Sequence, residues 1–460
     1  MSETLSEREP QTQPSVIAPA SRLRVGVVLA AGRSERLNLV SGGGSKALVR
    51  AGGLPLVERA ARFLLASGLE RVLVVVGHDA GPVAAVVNRL APGRARAVYA
   101  ERWEAGNGAS LSAAELQVAE EDLFVLLTAD HVFGEGAMDE LLATGEPAVL
   151  VDESPSVEAW AEGTRVQVVD GRVVALGKDL DDAHIDCGAF VLPPRIFDCQ
   201  REAEARGDPS LSGAVTALAG SEAVRAIPVP DGSWWQDVDT AADLRAARIR
   251  LRRSLIRRSD GPVSRYLNRP ISTRISMAVA PLRLAPDAVS VMASLLALLA
   301  AALLAAGRGL AGGILTQLAS VVDGLDGETA RLQVRARAAG AFLDGMLDRL
   351  GDTAILCGLG LWALEGSTDP RVVLGLTVAA VAGAMLSMAS KDRIAALGLL
   401  PGPERALGFL LGGRDGRLLL VAVGAVLARP VLALVAVVVT SAISVGARTL
   451  AVWFADRHAD

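Results

Sequence analysis

The chain divides by the rhythm of its apolar positions. From about residue 21 to 250, apolar runs are short and charges are spread between them. Val25-Gly-Val-Val-Leu29 and Arg71-Val-Leu-Val-Val-Val-Gly77 are continuous apolar stretches of strand length. Leu123-Phe-Val-Leu-Leu-Thr-Ala-Asp130-His131 ends such a stretch in an acidic residue. Runs of this kind predict buried parallel strands, so the segment reads as a Rossmann-like α/β domain. From about 286 to 454 the pattern changes to long runs of Ala, Leu, Val and Gly. A helix that crosses a bilayer needs about 20 mostly apolar residues. Six candidates fall near 287–306, 311–331, 340–363, 371–390, 414–429 and 431–453, the fifth marginal in length. The expectation is an all-α polytopic membrane domain of about six transmembrane helices. An even number of spans would leave both termini in the cytoplasm.

Two segments fit neither pattern. Met1 to Ala20 is polar and acidic with several prolines, and it lacks an apolar core of signal-peptide length. A disordered tail is expected there. Between about Ala241 and Ala285, arginine recurs from Arg245 to Arg274. This reads as a basic interfacial helix on an anionic leaflet, or as a solvated linker. The domain plan is a tail at 1–20, an α/β domain at 21–248, a basic linker at 249–285 and a transmembrane domain at 286–460. Basic residues beside the first span would keep that side, and the α/β domain, cytoplasmic. A net charge of −5 gives no reason to invoke nucleic acid. Cys187, Cys199 and Cys357 stand apart without ligand spacing, as expected of reduced thiols.

The chemistry of the apolar half lies in four carboxylates. Asp323 and Asp326 are three apart, and Asp344 and Asp348 are four apart. On helices each pair faces one side. Gly327, Ala330 and Gly340 extend those faces as small gaps. Burying four carboxylates at membrane depth is costly unless something compensates. Divalent cations would do so, and oxygen ligands suit Mg²⁺ or Mn²⁺. The alternative is ion pairing with Arg331, Arg335, Arg337 and Arg349, which explains neither the small residues nor the interval.

The spacing D-x2-D-G-x2-A-R-x8-G-x3-D-x3-D resembles the CDP-alcohol phosphotransferase family at every fixed position, over about 263 to 454. The resemblance implies two metal ions on Asp323, Asp326, Asp344 and Asp348. It implies that Gly327, Ala330, Arg331 and Gly340 hold the CDP moiety, that Asp348 is the general base, and that the domain forms a homodimer. Acceptor phosphate would fall to basic residues such as Lys391, Arg393, Arg405 and Arg448. Arg414, Asp415 and Arg417 form a further R-D-x-R cluster. Loop charge that sets topology is the alternative for all but Arg448, because an arginine well inside a span is costly and usually paired.

In the polar half, strand Val25–Leu29 feeds Ala30-Ala-Gly-Arg-Ser-Glu-Arg-Leu37 and then Ser41-Gly-Gly-Gly-Ser-Lys46. A Gly-rich turn after a strand can bind phosphate through backbone N–H groups, although this is neither a G-x-G-x-x-G nor a Walker A motif. Lys46-Ala-Leu, Gly53-Leu-Pro-Leu-Val57, Gly106-Asn-Gly-Ala-Ser110, Gly177-Lys178, Ile185-Asp-Cys-Gly-Ala-Phe190 and Trp235-Gln-Asp237-Val-Asp239-Thr240 follow. Together these resemble the sugar-1-phosphate-type nucleotidyltransferases over roughly 23 to 248. The resemblance implies metal on Asp130 and Asp237, with Lys46 holding phosphate charge assisted by Arg36. Ala31, Gly32, Asn107, Gly108 and Ser110 would hold the nucleotide, and Lys178 and Asp186 would meet the phosphorylated substrate. Asp130 could instead cap the next helix. Asp239 reads as orienting Asp237 or capping a helix at Thr240, and His131 as a supporting or packing residue.

The two halves together resemble one family, the bifunctional inositol-1-phosphate cytidylyltransferase/di-myo-inositol-phosphate-phosphate synthases. That implies CTP and L-myo-inositol-1-phosphate giving CDP-inositol and pyrophosphate. CDP-inositol and a second inositol-1-phosphate would then give phosphorylated di-myo-inositol phosphate, a compatible-solute precursor, and CMP. Both active sites would face the cytoplasm from a multi-pass protein in the cell membrane. Three other readings stay open. The back half could be a phospholipid synthase with a lipid acceptor, or the front half a degenerate regulatory module. A transporter would show an internal repeat, and none is visible.

Overall fold

A computed structural model describes residues 23–33, 43–181, 184–257, 259–397 and 412–457. Arg36, Arg405 and the segment expected to be a tail lie outside the described residues. The chain forms two compact units. One comprises residues 1–49 and 56–243, the other 50–55 and 244–460.

The first unit is built on a nine-stranded sheet. Its strands in chain order are β1 (Val25–Ala30), β2 (Arg71–Val76), β3 (Ala95–Tyr99), β4 (Phe124–Thr128), β5 (Ala148–Asp152), β6 (Arg165–Val169), β7 (Arg172–Gly177), β8 (His184–Leu192) and β9 (Arg225–Pro228). They lie in the order β3-β2-β1-β4-β8-β5-β9-β7-β6. β1 runs parallel to β2 and β4, whereas β8 runs antiparallel to β4 and β5. β1 is buried along its whole length, which is why its sequence reads as an unbroken apolar run. β2 follows β1 on one side and β4 flanks it on the other. The order therefore reverses at β1, and a crevice opens outside the C-terminal ends of β1 and β4. A short ribbon, His131–Phe133 with Trp235–Asp237, brings two distant acidic segments together there by pairing Asp237 with His131.

The second unit is helical. It contains α1 (Arg269–Val279), α2 (Pro286–Ala305), α3 (Gly309–Leu332), α4 (Ala338–Glu365), α5 (Pro370–Ala396), α6 (Arg414–Val426) and α7 (Pro430–Arg457). Helices α2 to α7 occupy the six predicted spans. Three of them, α2, α5 and α7, are long and apolar enough to cross a membrane by length and composition. α3 and α4 have the length, at 24 and 28 residues, but their acidic residues interrupt the apolar stretch. α6 has only 13 residues. At 1.5 Å per residue it covers about 20 Å, short of the ~30 Å of a hydrocarbon core. The inner faces of α2, α4, α6 and α7 meet through small and branched residues, including Ala300, Leu304, Ile355, Leu359, Val421 and Leu434. Leu295, Leu299, Val378, Leu386, Leu432 and Ile443 are exposed.

The basic linker is not one surface helix. A helix at Ala241–Ser254 is followed by a π-helical turn at Ser264–Asn268 and then α1. Arg269 does not face outward. Its guanidinium is paired with Asp260 at 3.0 Å and with Glu328 at 2.7 Å. An arginine-rich stretch read by composition alone hides such a residue, because its partner lies far along the chain.

Candidate active sites

In the first unit, the crevice at the ends of β1 and β4 has a volume of about 500 Å³. Its lining includes Ala31, Gly32, Arg33, Asn107, Ser110 and Asp130. Ser110 and Asn107 come from a short helix, Asn107–Leu111, that is tied down at its start. The Asn107 side-chain oxygen accepts from Leu211 N at 2.9 Å, and Ser110 Oγ donates to Gly106 O at 2.9 Å. Gly108 is buried behind this turn, where a Cβ would come within 2.3 Å of the Gln200 side chain.

The floor of the crevice is a charged knot. Lys46 Nζ lies 2.8 Å from Asp130 Oδ2 and 3.8 Å from Asp237 Oδ1, and it also bonds the Asp239 carboxylate. Asp239 is thus a partner of Lys46. The following helix is capped by Thr240, whose Oγ1 accepts from Asp243 N at 3.3 Å while the Asp243 carboxylate accepts in return from Thr240 N at 2.7 Å. Asp130 Oδ1 is also 2.7 Å from His131 Nδ1, which in turn lies 2.7 Å from Thr128 Oγ1. The His131 ring stacks on Trp235 with planes 9° apart.

Burial works against a charged Lys46, but Asp130, Asp237 and Asp239 outweigh it and raise the ammonium above its ordinary value. Burial likewise opposes ionised Asp130, yet Lys46 and His131 hold that carboxyl well below the usual range. Burial would lower His131, but Asp237 and Asp130 reverse this and lift it to about 9. Burial pushes Asp237 up to about 6 against the pull of His131, with Asp130 adding to the rise. Asp186, on β8 beside this knot, is pushed by burial to about 6 although its Oδ1 accepts from Gly188 N at 2.8 Å.

Asp130, His131 and Asp237 each offer a ligand atom, all within 4.8 Å of one another. Asp237 Oδ1 is buried with no hydrogen-bond partner. An orphaned inward carboxylate oxygen in an acidic group fits a divalent cation. Lys178 follows β7 and is exposed, and it is not among the residues lining the crevice. His131, expected as a supporting or packing residue, lies between Asp130, Thr128 and Trp235. Its adjacency to Asp130 was visible, but the ribbon that brings Asp237 to it was not.

Gly188 carries a testable constraint. Its φ is +69°, and a Cβ there would lie 2.3 Å from Thr128 Oγ1 and 2.8 Å from His131 Nδ1. Gly188→Ala is expected to cost about 1–3 kcal/mol through backbone strain and to displace His131. The variant should then unfold at a lower temperature than wild type, and an unchanged melting temperature would show that Gly188 does not constrain His131.

In the second unit, α3 and α4 bring the four aspartates into one acidic group. Asp323, Asp344 and Asp348 offer oxygens all within 4.8 Å of one another. Asp326 accepts a hydrogen bond from Ser290 on α2. A fifth carboxylate, the buried Asp352, continues the row one turn beyond Asp348. Arg414, at the start of α6, binds three of them. It reaches Asp323 at 2.5 Å, Asp348 at 3.0 Å and Asp352 at 3.0 Å.

The four arginines weighed above as partners go elsewhere. Arg331 donates to Leu255 O at 3.1 Å, Arg335 to Gln333 at 3.3 Å and Arg337 to Asp287 at 2.9 Å, while Arg349 pairs with Asp392. Among the described residues, five carboxylates thus face two guanidiniums, Arg414 and the more distant Arg417 at 3.6 Å from Asp352. The surplus negative charge on hard oxygen donors fits divalent cations.

A neighbouring space of about 160 Å³ is lined by Asp326, Gly327, Ala330, Arg331, Gly340 and Asp344, among others. Of the acceptor candidates, Lys391 is half-buried and Arg393 exposed at the end of α5. Neither lines that space. Arg448 is buried within α7 and donates to Ser387 O at 2.8 Å and Ser390 Oγ at 3.1 Å. Arg417 donates to Ser387 Oγ at 3.1 Å, so two arginines converge on one serine.

Comparison with known proteins agrees with this division. Residues 26–178 match the family described as MobA-like NTP transferase domain, and residues 283–445 match the family described as CDP-alcohol phosphatidyltransferase. A bifunctional IPC transferase and DIPP synthase of Rubrobacter xylanophilus is 38% identical over 415 residues, covering 89% of this chain and 92% of that protein. The protein of the same name from Archaeoglobus fulgidus is 32% identical over 432 residues, 91% of this chain and 83% of the relative. The solved inositol-1-phosphate CTP transferase from T. maritima is 24% identical, with a TM-score of 0.46 over 49% of this chain and 94% of that one.

A nucleotidyltransferase unit followed by a CDP-alcohol phosphotransferase unit defines a bifunctional transferase. The chain belongs to the family of bifunctional IPC transferases and DIPP synthases. Its three apolar helices and its CDP-alcohol phosphatidyltransferase domain point to a membrane protein.

Proposed function

We propose that the chain makes CDP-inositol from CTP and L-myo-inositol-1-phosphate in its first unit and consumes it in its second. The observation that carries this reading is the presence of both acidic centres on one chain, along nine-tenths of which a bifunctional relative aligns. In the first reaction a phosphate oxygen of inositol-1-phosphate attacks the α-phosphorus of CTP. The bond to the β-phosphate breaks, and pyrophosphate leaves. Lys46 sits where it can neutralise the growing phosphate charge, and Asp130 and Asp239 hold its ammonium in place. Ala31, Gly32, Asn107 and Ser110 shape the nucleotide side of the crevice, and Asp186 and Lys178, which lie outside that lining, would serve the sugar phosphate.

In the second reaction Asp348 takes the proton from a hydroxyl of the acceptor inositol-1-phosphate. The acceptor oxygen attacks the β-phosphorus of CDP-inositol, and CMP leaves. Gly327, Ala330, Arg331 and Gly340 hold the nucleotide, and Arg448 with Lys391 and Arg393 receives the acceptor phosphate. Arg414 holds Asp348 and Asp323 in register. Divalent cations bound at Asp130 and Asp237, and at Asp323, Asp326, Asp344 and Asp348, would screen the phosphate charges. Mg²⁺ or Mn²⁺ suits these oxygen donors, with two ions in the second unit and at least one in the first. The second unit lies in the bilayer as a homodimer, with both centres open to the cytoplasm that supplies CTP.

The test is ³¹P NMR of membranes holding the protein with CTP, Mg²⁺ and inositol-1-phosphate. A new phosphodiester signal appearing with CMP and pyrophosphate is expected. A CDP-alcohol that accumulates without diester would retain the first reaction and replace inositol-1-phosphate by a lipid as acceptor. If CTP is untouched, the reading fails.

A further inference from the structure

Glu328 is a buried carboxylate that neither reaction uses. It lies on α3 between Gly327 and Ala330, yet it is fully buried at 0% exposure. Three donors from one face of α1 converge on it. Arg269 Nη1 lies 2.7 Å from Oε1, Ser272 Oγ 2.5 Å from Oε1, and Ser276 Oγ 2.6 Å from Oε2. Asp260 backs Arg269 from the other side at 3.0 Å. Arg269 also donates to Gly324 O at 3.2 Å, and it can do so only because residue 324 has no side chain. A Cβ there would lie 2.7 Å from Arg269 Nη1.

The contact continues down the helix. Asn268, the last residue of the π-helical turn, donates to Ser320 Oγ at 3.0 Å and accepts from Gln317 at 2.8 Å. Gln317, Ser320, Gly324 and Glu328 form one stripe of α3 at spacings of three, four and four residues. At about 100° per residue, that stripe is centred roughly a third of a turn from the face that carries Asp323, Asp326, Gly327 and Ala330. One side of α3 therefore carries the chemistry, and the adjacent side is held at successive turns by the segment preceding α2. A stripe of this kind fixes how α3 is rotated about its axis. Rotation decides where Asp323 and Asp326 point, because a helix carries all its side chains round together.

We propose that Glu328 is a positioning residue for the phosphotransfer centre, acting through Arg269, Ser272 and Ser276 to set the rotation of α3. This rests on the reading of the aspartate group as that centre. The same lock explains why Arg269, in the segment after the first unit, is turned inward with its side chain 13% exposed. The chain from Asp260 to Ser276 is a structural part of the second site, not a tether.

The experiment uses the full chain in nanodiscs and reads Mn²⁺ by electron paramagnetic resonance. Asp130→Ala in the background removes the first unit's contribution. Glu328→Gln and Gly324→Ala are compared with this parent. The first removes the charge that holds Arg269, and the second adds one methyl that pushes Arg269 aside. Each is expected to weaken Mn²⁺ binding about tenfold or more, as changes in groups that orient metal ligands do. The double variant should be no worse than the stronger single, because both break one lock. Turnover of supplied CDP-inositol should fall in each single and recover as Mn²⁺ is raised, which a general loss of folding would not allow. Unchanged Mn²⁺ affinity in Gly324→Ala, or additive losses in the double variant, would overturn the proposal. Mn²⁺ is read without substrate, so failure of the parent to consume CDP-inositol would count against the proposed reaction and not against the lock.

Discussion

Asp348→Ala is expected to stop CMP release while leaving pyrophosphate release intact, so that CDP-inositol accumulates from CTP and inositol-1-phosphate. The loss should be about 10²–10⁴-fold for the missing proton acceptor alone. It should be greater still because the same carboxylate belongs to the group of oxygens formed with Asp323 and Asp344. The effect is confined to the second reaction because Asp348 lies in the helical unit, and Lys46, Asp130 and Asp237 all lie in the other. Local collapse is an unattractive explanation of such a loss. Arg414 keeps Asp323 at 2.5 Å and Asp352 at 3.0 Å when Asp348 is gone, so the guanidinium is not left unpaired. The measurement is a ³¹P time course with both products resolved. Accumulated CDP-inositol would be the signature, and a simultaneous fall of pyrophosphate in a folded protein would break the two-centre scheme.

What could be read from the sequence follows from how local each signal is. The aspartate motif is carried by two helices close in the chain, so period and spacing alone bring its members to mind. Asp352 was equally legible, as the next step of the row from Asp344 through Asp348, but it lies beyond the last fixed position of the motif. Arg414 was not open in the same way. It lies 91 residues from Asp323, and only the packing of α6 against α3 brings them together. The same holds for Arg269 and Glu328, 59 residues apart. Arg414 stood in the sequence only as part of a charged cluster and Arg269 only as one of many arginines, and the partner of each was a matter of tertiary packing.

The first unit repeats the lesson on a sheet. Strands β1, β2 and β4 were legible because burial on both faces leaves an unbroken apolar run. The antiparallel placing of β8 beside β4 was not, because nothing local sets the direction in which a strand joins a sheet. That placing matters chemically. It puts Asp186 and Gly188 against Thr128 and His131, which completes the acidic knot. Asp239 shows a subtler limit. Its two expected roles were local, helix capping or support of Asp237; it bonds Lys46 from 193 residues away, and the cap is made by Thr240 with Asp243.

Asp130→Ala should give the converse result: no pyrophosphate from CTP, with supplied CDP-inositol still turned over. Three contacts make Asp130 the centre of the first site. One oxygen binds Lys46 at 2.8 Å, the other binds His131 at 2.7 Å, and the carboxylate stands with Asp237 as one of two acidic ligands within 4.8 Å. Removing it would take away one of the carboxylates that could hold a cation and would also free Lys46 to move toward Asp239 and Asp237. Loss of one preorganised electrostatic group typically costs about 10²–10³ in rate, and here two such groups are disturbed at once. The fold should survive, since β4 is held by its pairing with β1 and β8 and not by a residue beyond its end. Asp239→Asn separates the two effects. It weakens the hold on Lys46 but leaves Asp130, His131 and Asp237 in place, so its loss should be smaller and should not be relieved by added Mn²⁺. If Asp130→Ala instead abolished turnover of supplied CDP-inositol, the second centre would depend on the first. Fusion of the two units would then be a requirement of the chemistry and not only a means of delivering CDP-inositol.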